Sequence, residues 1–504
     1  MDSGSVEPYV EELVPPPDPA ECCERLEGLP YRLFLDSATR DPRLGRYSFV
    51  SADPIAVIRS RGAYVERIDP ATGTRRRVGG DARAALRAFL SPFHASPIPG
   101  LPPFQGGAAG YVAYEWGLVL ERLPAPRYDD LELDDVVFGV YDWVLAWDHA
   151  AHRAWLISTG MPETSPGPCA RRAAARADEV RRRLHASNAV SAVRRTEGPA
   201  RAGHDGHEAG AGEATAPSYQ VEDGWWDPRL SLRSSFTRNG YVDAVSRVRD
   251  YIFAGDIFQA NLSQRFEAPI QEPPWSLYRR LRTKNPAPFS AFLELPSAAI
   301  VSASPERFLR VDSTGQVETR PIKGTRPRGV GPEHDAALGQ ALAESPKDRA
   351  ENLMIVDLMR NDLSRVCAPG TVRVAELCAL EQYATVHHLV STVVGQLAPG
   401  ADALDLLRAA FPGGSITGAP KLRAMEIIAE LELSRRGVYC GAIGYWSRTG
   451  DLDTSIAIRT AVARGGRVYF NAGGGVVADS DPGEEYQETL DKARGIIDAL
   501  AVPA

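Results

Sequence analysis

Short apolar runs alternate with turn-rich stretches from the start of the chain to about Ile157, which predicts a strand-rich first part. YRLFLDS, RYSFVSADP and DDVVFGVYDWVLAWD are such runs. The most apolar of them, VVFGVYDWVLAW, is interrupted by Asp142 and followed by Asp148, too short and too broken to span a bilayer. CARRAAARADEVRRRLHAS is a good helix former with a solvated basic face. Residues 187–224 have no period and are rich in Gly, Ala and His, so they read as a linker or inserted loop.

From Ser235 the periodicity sharpens. NGYVDAVSRVRDYIFAGD carries Val242, Val245, Val248 and Ile252 at helical spacing, with Gly255 as a stop. IFQANLSQRF alternates, placing Phe258, Ala260 and Leu262 on one face and Gln259, Asn261 and Ser263 on the other. A row of amides and hydroxyls suits either a site wall or a solvent-facing edge. AAIVSASPERF, VYCGAIGYWS, TSIAIRTAVA and RVYFNAGGGVV read as strands. KDRAENLMIVDLMRNDLSRV reads as a helix with Leu353, Val356 and Met359 along one stripe, and SITGAPKLRAMEIIAELE as a turn entering a helix near Thr417 or Gly418. In DSDPGEEYQETLDKARGIIDAL, Asp481 is the expected N-cap, Pro482 the first turn and Glu484 the capping-box partner.

The 504 residues allow two to four domains, and 44% hydrophobic with 24% charged residues is ordinary for a globular chain. A net charge of -8 argues against nucleic acid as a partner. The acidic N-terminus lacks the apolar core of a signal peptide, and six cysteines without zinc spacing suggest a reduced, cytoplasmic protein. Serine-hydrolase, P-loop and dinucleotide-binding motifs do not occur.

Several clusters can carry chemistry. Glu485, Glu488 and Lys492 share one helix face; two carboxylates one turn apart suit Mg²⁺, or Glu488 simply pairs with Lys492. Gly473-Gly474-Gly475 follows RVYF and suits either close approach to an anion or a tight turn. TRPIKGTRPRG concentrates Arg320, Lys323, Arg326 and Arg328, with Lys323 held at a turn between Pro321 and Gly324. A desolvated lysine there is a nucleophile, a solvated one is not. Glu306 can serve as a general acid, and His388 as a proton shuttle or orienting group, unless His388 merely lies on a partly buried helix.

Taken in order, SPERF, PIKGTRPRG, AENLMIVDLMRNDLSRV, HHLVS, GGSITGAPKLRAMEII, YCGAIGY, DLDTSIAIRT and NAGGGVVADSDPGEEYQET closely resemble the chorismate-utilising family. That family includes anthranilate, isochorismate and salicylate synthases. The likeness runs from Phe236 to the C-terminus and continues more weakly in FLDS and GRYSFVSADP. It implies an α/β (α+β) fold of large antiparallel sheets packed as a sandwich with outer helices. It divides the chain into a β-rich part at 1–186, a linker or insert at 187–234 and a chorismate-binding part at 235–504.

By motif match it implies Mg²⁺ held by Glu351, Glu485 and Glu488. Substrate contacts would come from Gly324, Thr325, His388, Tyr439, Arg459, Gly473, Gly475, Lys492 and Gln259. Where Gln259 stands, isochorismate-type enzymes resemble one another in a water-activating lysine. PIKGT resembles the branch that makes 4-amino-4-deoxychorismate, whereas anthranilate synthases typically read PIAGT. The resemblance then implies Lys323 as covalent nucleophile, Glu306 as acid and ammonia from a separate glutamine amidotransferase subunit. FLDS and NPAPFSAF resemble the family's tryptophan pocket, through Ser37, Pro288 and Phe289. The alternatives are an anthranilate synthase component I and a non-catalytic relative that binds chorismate or tryptophan.

Overall fold

The computed structural model describes residues 7–39, 43–186, 216–221, 224–383 and 386–501. The core of the expected linker, 187–215, lies outside them. Two large sheets organise the described residues, and every strand ladder is antiparallel. The first runs Tyr9–Glu12, Arg153–Ser158, Trp143–Asp148, Tyr47–Ser51, Leu33–Asp36, Phe289–Glu294, Ala299–Ser304, Thr460–Arg464, Arg467–Val476 and Gln259–Pro269. Short strands at Arg233–Ser234 and Tyr219–Gln220 extend its far edge. The second runs Ile322–Pro327, Val386–Gln396, Gln316–Thr319, Arg307–Val311, Leu452–Ile456, Ala442–Ser447, Gly107–Val112, Val136–Tyr141, Ala56–Arg61, Tyr64–Ile68 and Arg75–Arg77. Strands from both ends of the chain therefore share each sheet.

The sheets pack face to face. Leu33, Phe49 and Val144 of the first meet Val57, Tyr111 and Ile443 of the second in one buried cluster. Alternate residues point outward to helices: Phe34, Val50 and Leu145 pack with Leu277, Leu281 and Leu490. Beyond the second sheet, Phe308 and Val393 pack with Ile355, Met359 and Leu407. Burial on both faces explains why WVLAW is continuously apolar, since each such side chain gains about 1.5–3 kcal/mol by leaving water. The result is helix, sheet, sheet, helix: the expected sandwich with outer helices.

Corners position the site. Four connections pass from a strand of one sheet directly into a strand of the other, at 52–55, at Asp142, at 305–306 and at 457–459. TSIAIRTAVA is thus two strands rather than one. The break falls where Arg459 takes φ +52°, a left-handed conformation that is costly for a side chain other than glycine. Other expectations also shift. His388 lies on the long strand Val386–Gln396 and not on a helix, and Lys323 lies on strand Ile322–Pro327 rather than in a turn. Helix Pro346–Ser364 buries Asn352, Ile355, Val356 and Met359, whereas Leu353 is exposed, so its stripe is rotated by one residue. Helix Lys421–Leu431 starts after Pro420, beyond Thr417 and Gly418. Phe258 precedes its strand and is exposed, while Gln259, Asn261 and Ser263 are buried. Asp481 does cap helix Pro482–Leu500, accepting from the Gly483 and Glu484 amides at 2.8 and 3.0 Å.

Candidate active site

Glu306 and Arg459 stand at two neighbouring corners. The Ile456 amide donates to the Glu306 carbonyl and the Ala303 amide to the Arg459 carbonyl, both at 3.0 Å. Below them opens a cavity of about 570 Å³. Glu306, Lys323, Gly324, Thr325, Glu351, His388, Tyr439, Arg459, Gly473, Gly475, Glu485, Glu488 and Lys492 all line it, so nearly every candidate from the motifs converges there. Gln259 stands one layer back. A methyl group at Gly475 would fall 2.2 Å from its Nε2, and both polar atoms of its carboxamide are buried without hydrogen-bond partners.

Lys323 projects from a bulge. Strand Ile322–Pro327 pairs with Val386–Gln396, and the register breaks between Ile322 and Thr325, leaving Lys323 and Gly324 outside the ladder. Gly324 has φ +82°, and any side chain there would strike Leu342 and Asp348. Lys323 Nζ donates to the Ser415 carbonyl at 2.9 Å. Burial lowers its pKa, against the opposing pull of Glu351 and Glu306. Burial also raises the Glu306 carboxyl to about 7 despite Ser415 and Lys323. Acid and amine are thereby moved toward each other on the pH scale.

The three glycines form neither a loop nor a tight turn; they belong to strand Arg467–Val476, just before its last residue. Its ladder with Thr460–Arg464 stops at Phe470, which leaves the Asn471–Val476 edge free of that partner beside the cavity. Small residues are required because helix Pro482–Leu500 lies close above. A methyl group at Gly474 would be 2.8 Å from Glu485 Oε2 and 3.4 Å from Glu488 Oε1. On that helix Lys492 Nζ binds Glu488 Oε1 at 2.5 Å and the Gly473 carbonyl at 2.9 Å. The salt bridge and the carboxylate pair therefore coexist. Arg459 Nη1 donates to the Lys492 carbonyl at 2.8 Å. His388 Nδ1 and Thr325 Oγ1 are 2.9 Å apart, and burial with the Arg459 charge pushes the imidazole down to about 4, so it orients Thr325 as a neutral ring.

The carboxylates fit an open site for a hard cation. Among the described residues no three His, Cys, Asp or Glu side chains are gathered closely enough to hold a metal ion by themselves. Yet Glu485 Oε2 is buried without a hydrogen-bond partner, and burial raises the pKa of both Glu485 and Glu351. Burial would raise Glu488 too, but Lys492 outweighs it and holds that carboxyl low. Mg²⁺ commonly binds through few protein carboxylates and completes its shell with water and substrate oxygens.

The cavity adds residues the motifs did not single out as ligands. Lys347 and Asp348 lie one turn before Glu351, a helical spacing that the sequence displays. Ser415 comes from the GGSITGAP stretch, and Asn261 from the polar face of its strand. Asn471 and Asp491 have no sequence signal beyond their neighbours.

A second cavity, of about 230 Å³, brings together Ser37, Pro288 and Phe289 with Arg46, Arg307 and Tyr445. Ser37 Oγ donates to the Tyr47 carbonyl at 2.6 Å and the Pro288 carbonyl at 3.3 Å.

Comparison with known proteins agrees with this geometry. Residues 45–498 match the model of the chorismate binding enzyme family. The chain is 42% identical to aminodeoxychorismate synthase component 1 of Salmonella typhimurium, over 94% of this chain and 93% of that one. It is 39% identical to anthranilate synthase component 1 of Pseudomonas aeruginosa, over 95% and 92%. The crystal structure of anthranilate synthase component I from Streptococcus pneumoniae superimposes with a TM-score of 0.72 at 31% identity, covering 90% of this chain and 92% of that one. The family match takes in every wall of the larger cavity, and the chain belongs to the chorismate binding enzyme family.

Proposed function

We propose that this chain aminates chorismate at C4, giving 4-amino-4-deoxychorismate for 4-aminobenzoate and folate synthesis. The observation that carries the reading is Lys323, a half-buried amine of lowered pKa placed beside Glu306, whose carboxyl is raised to about 7. Neutral Lys323 attacks C2, forming a C–N bond as the two conjugated ring double bonds shift in turn and the C4–O bond breaks. Glu306 gives its proton to the departing hydroxyl, which leaves as water. Ammonia then adds at C4, both double bonds return, the C2–N bond breaks to release the lysine amine, and the surplus proton of the new ammonium group restores the Glu306 acid. A lysine at C2 bars ammonia from the carbon that leads to anthranilate.

Glu351, Glu485 and Glu488 would hold Mg²⁺, which neutralises a substrate carboxylate when bound. Arg459 and Lys492 supply further positive charge, and Gly473 and Gly475 allow the substrate to lie against the backbone. Ammonia is supplied by a separate glutamine amidotransferase. Five of the six cysteines are buried, and burial pushes Cys22 and Cys440 up to about 12, which does not suit a glutaminase thiolate. The second cavity is the place for tryptophan, as ligand or fixture.

The test is direct. The purified chain is given chorismate, Mg²⁺ and ammonium salt, and the product is identified by chromatography and mass. 4-Amino-4-deoxychorismate supports the reading. Anthranilate with pyruvate would replace it by the activity named in the 39%-identical relative.

A further inference from the structure

Strand Ile322–Pro327 is a weakly held support for a nucleophile. It ends the second sheet, its ladder runs to one neighbour on the sheet path, and that ladder is broken at Lys323 itself. Part of what holds it lies outside the cavity. The Asp335 carboxylate accepts from Arg328 Nε at 2.7 Å, Arg328 Nη2 at 2.5 Å and the Gly329 amide at 2.9 Å, just past the end of the strand. Its Oδ1 also lies 2.8 Å from Nε2 of His387, a wholly buried ring on the neighbouring strand. His387 is adjacent to His388, which holds Thr325.

Asp335 also lies in the first turn of helix Pro332–Glu344, whose N-cap, Gly331, offers no side chain. The far end of that helix returns to the bulge. Leu342, fully buried, sits where any side chain on Gly324 would collide with it. One carboxylate thus ties together the strand end, the paired strand and the helix that presses on Gly324.

We propose that Asp335 is a positioning residue that fixes Lys323 for attack, by latching helix Pro332–Glu344 onto the strand that carries the lysine. Bonds from Arg328 and the Gly329 amide hold its carboxyl well below the ordinary range, so the latch stays charged through the working pH. An amide at 335 keeps the shape but cannot accept from Arg328, Gly329 and His387 together.

The proposal rests on Lys323 being the nucleophile, and the test separates the two. In Asp335→Asn, kcat for chorismate consumption should fall about 10- to 100-fold, the scale of a displaced reacting group. KM should stay within about threefold, since the substrate contacts remain. Carbamylation of Lys323 by cyanate, followed by mass spectrometry across pH, reports the lysine itself whatever the product; its pH profile should move in the variant. Asp335→Glu should restore part of the rate. Unchanged kcat, a loss confined to KM or an unmoved Lys323 profile would each overturn the latch. Should Asp335→Asn fail to fold, Arg328→Gln decides: a kcat loss at constant KM supports the latch and wild-type kinetics overturn it. Wild-type turnover in Lys323→Ala would instead remove the nucleophile, and the latch with it.

Discussion

The two cavities differ in how their polar groups are satisfied. Around the smaller one, most charges are paired off. Arg307 holds Asp453 with two bonds of 3.0 Å and Glu318 at 2.9 Å, Arg46 holds Asp148 at 2.7 Å, and Asp36 accepts from Arg282 at 2.5 Å and Tyr278 at 3.1 Å. Around the larger one, Glu485 Oε2 and Asn261 Oδ1 are buried and unpartnered, and Glu306 and Lys323 carry displaced pKa values. Buried polar atoms without partners cost stability unless something else satisfies them. The larger cavity is therefore arranged to receive a charged ligand and the smaller is largely self-sufficient. Adjacent residues divide between them: Glu306 lines one and Arg307 the other.

The sharpest test of that contrast is Lys323→Ala. Turnover of chorismate should fall by at least about 10³-fold, as when an essential nucleophile is deleted, with the thermal midpoint little changed. Retained turnover measured by loss of chorismate absorbance would show that the displaced amine has no role. Removal of divalent metal should come next. Chelation should abolish turnover and added Mg²⁺ restore it, whereas turnover that survives chelation would leave the unpartnered Glu485 without a purpose.

Glu306→Gln should cost about 10²–10⁴-fold in kcat, the range for a general acid. It should also change the pH profile. The wild-type acid must be protonated, so kcat should decline as pH rises through about 7, and the variant should lose that limb. Stability should move the other way. The folded carboxyl titrates near 7 and the unfolded one near 4.5, so ionising it destabilises the fold progressively between those values. The glutamine variant should gain up to about 3 kcal/mol at pH 8 and nothing at pH 4, read by urea unfolding. A variant no more stable at pH 8 would mean that the carboxyl is not strained by burial.

Much of this contrast was legible in the sequence, and the illegible part has a physical reason. Lys323, Glu306 and the Glu485, Glu488, Lys492 face were visible because motif order and helical spacing are local properties. The strand through Gly473–Gly475 was visible in RVYFNAGGGVV, but the need for glycine there was not, because Gly474 and Gly475 answer to Glu485, Glu488 and Gln259, which pack on them from distant parts of the chain. The break at Arg459 was hidden for a similar reason: both halves of TSIAIRTAVA have strand composition, and only the passage between two sheets separates them. His388 resembles a helix residue until its strand is seen to be buried on both faces. Ser37 lies far in sequence from Pro288 and Phe289, and only the sheet order brings them to one cavity.

The smallest effect is expected in the smaller cavity, at Phe289→Ala. The ring lies against the Arg307 guanidinium, 5.1 Å from its centroid, and is only partly buried. Its loss should cost about 1–3 kcal/mol of stability, less than a fully buried phenylalanine and including a modest cation–π contribution. Arg307 should remain in place, because Asp453 and Glu318 hold it without the ring. Glu306, which follows Pro305 at the corner and whose carbonyl accepts from Ile456, should then keep its position. kcat with ammonium as nitrogen source should accordingly change by less than about threefold, as for substitutions away from the reacting groups. A tenfold fall without unfolding would mean that Arg307 transmits a change in the paired cavity to the acid beside it, and the two cavities would have to be treated as one coupled system.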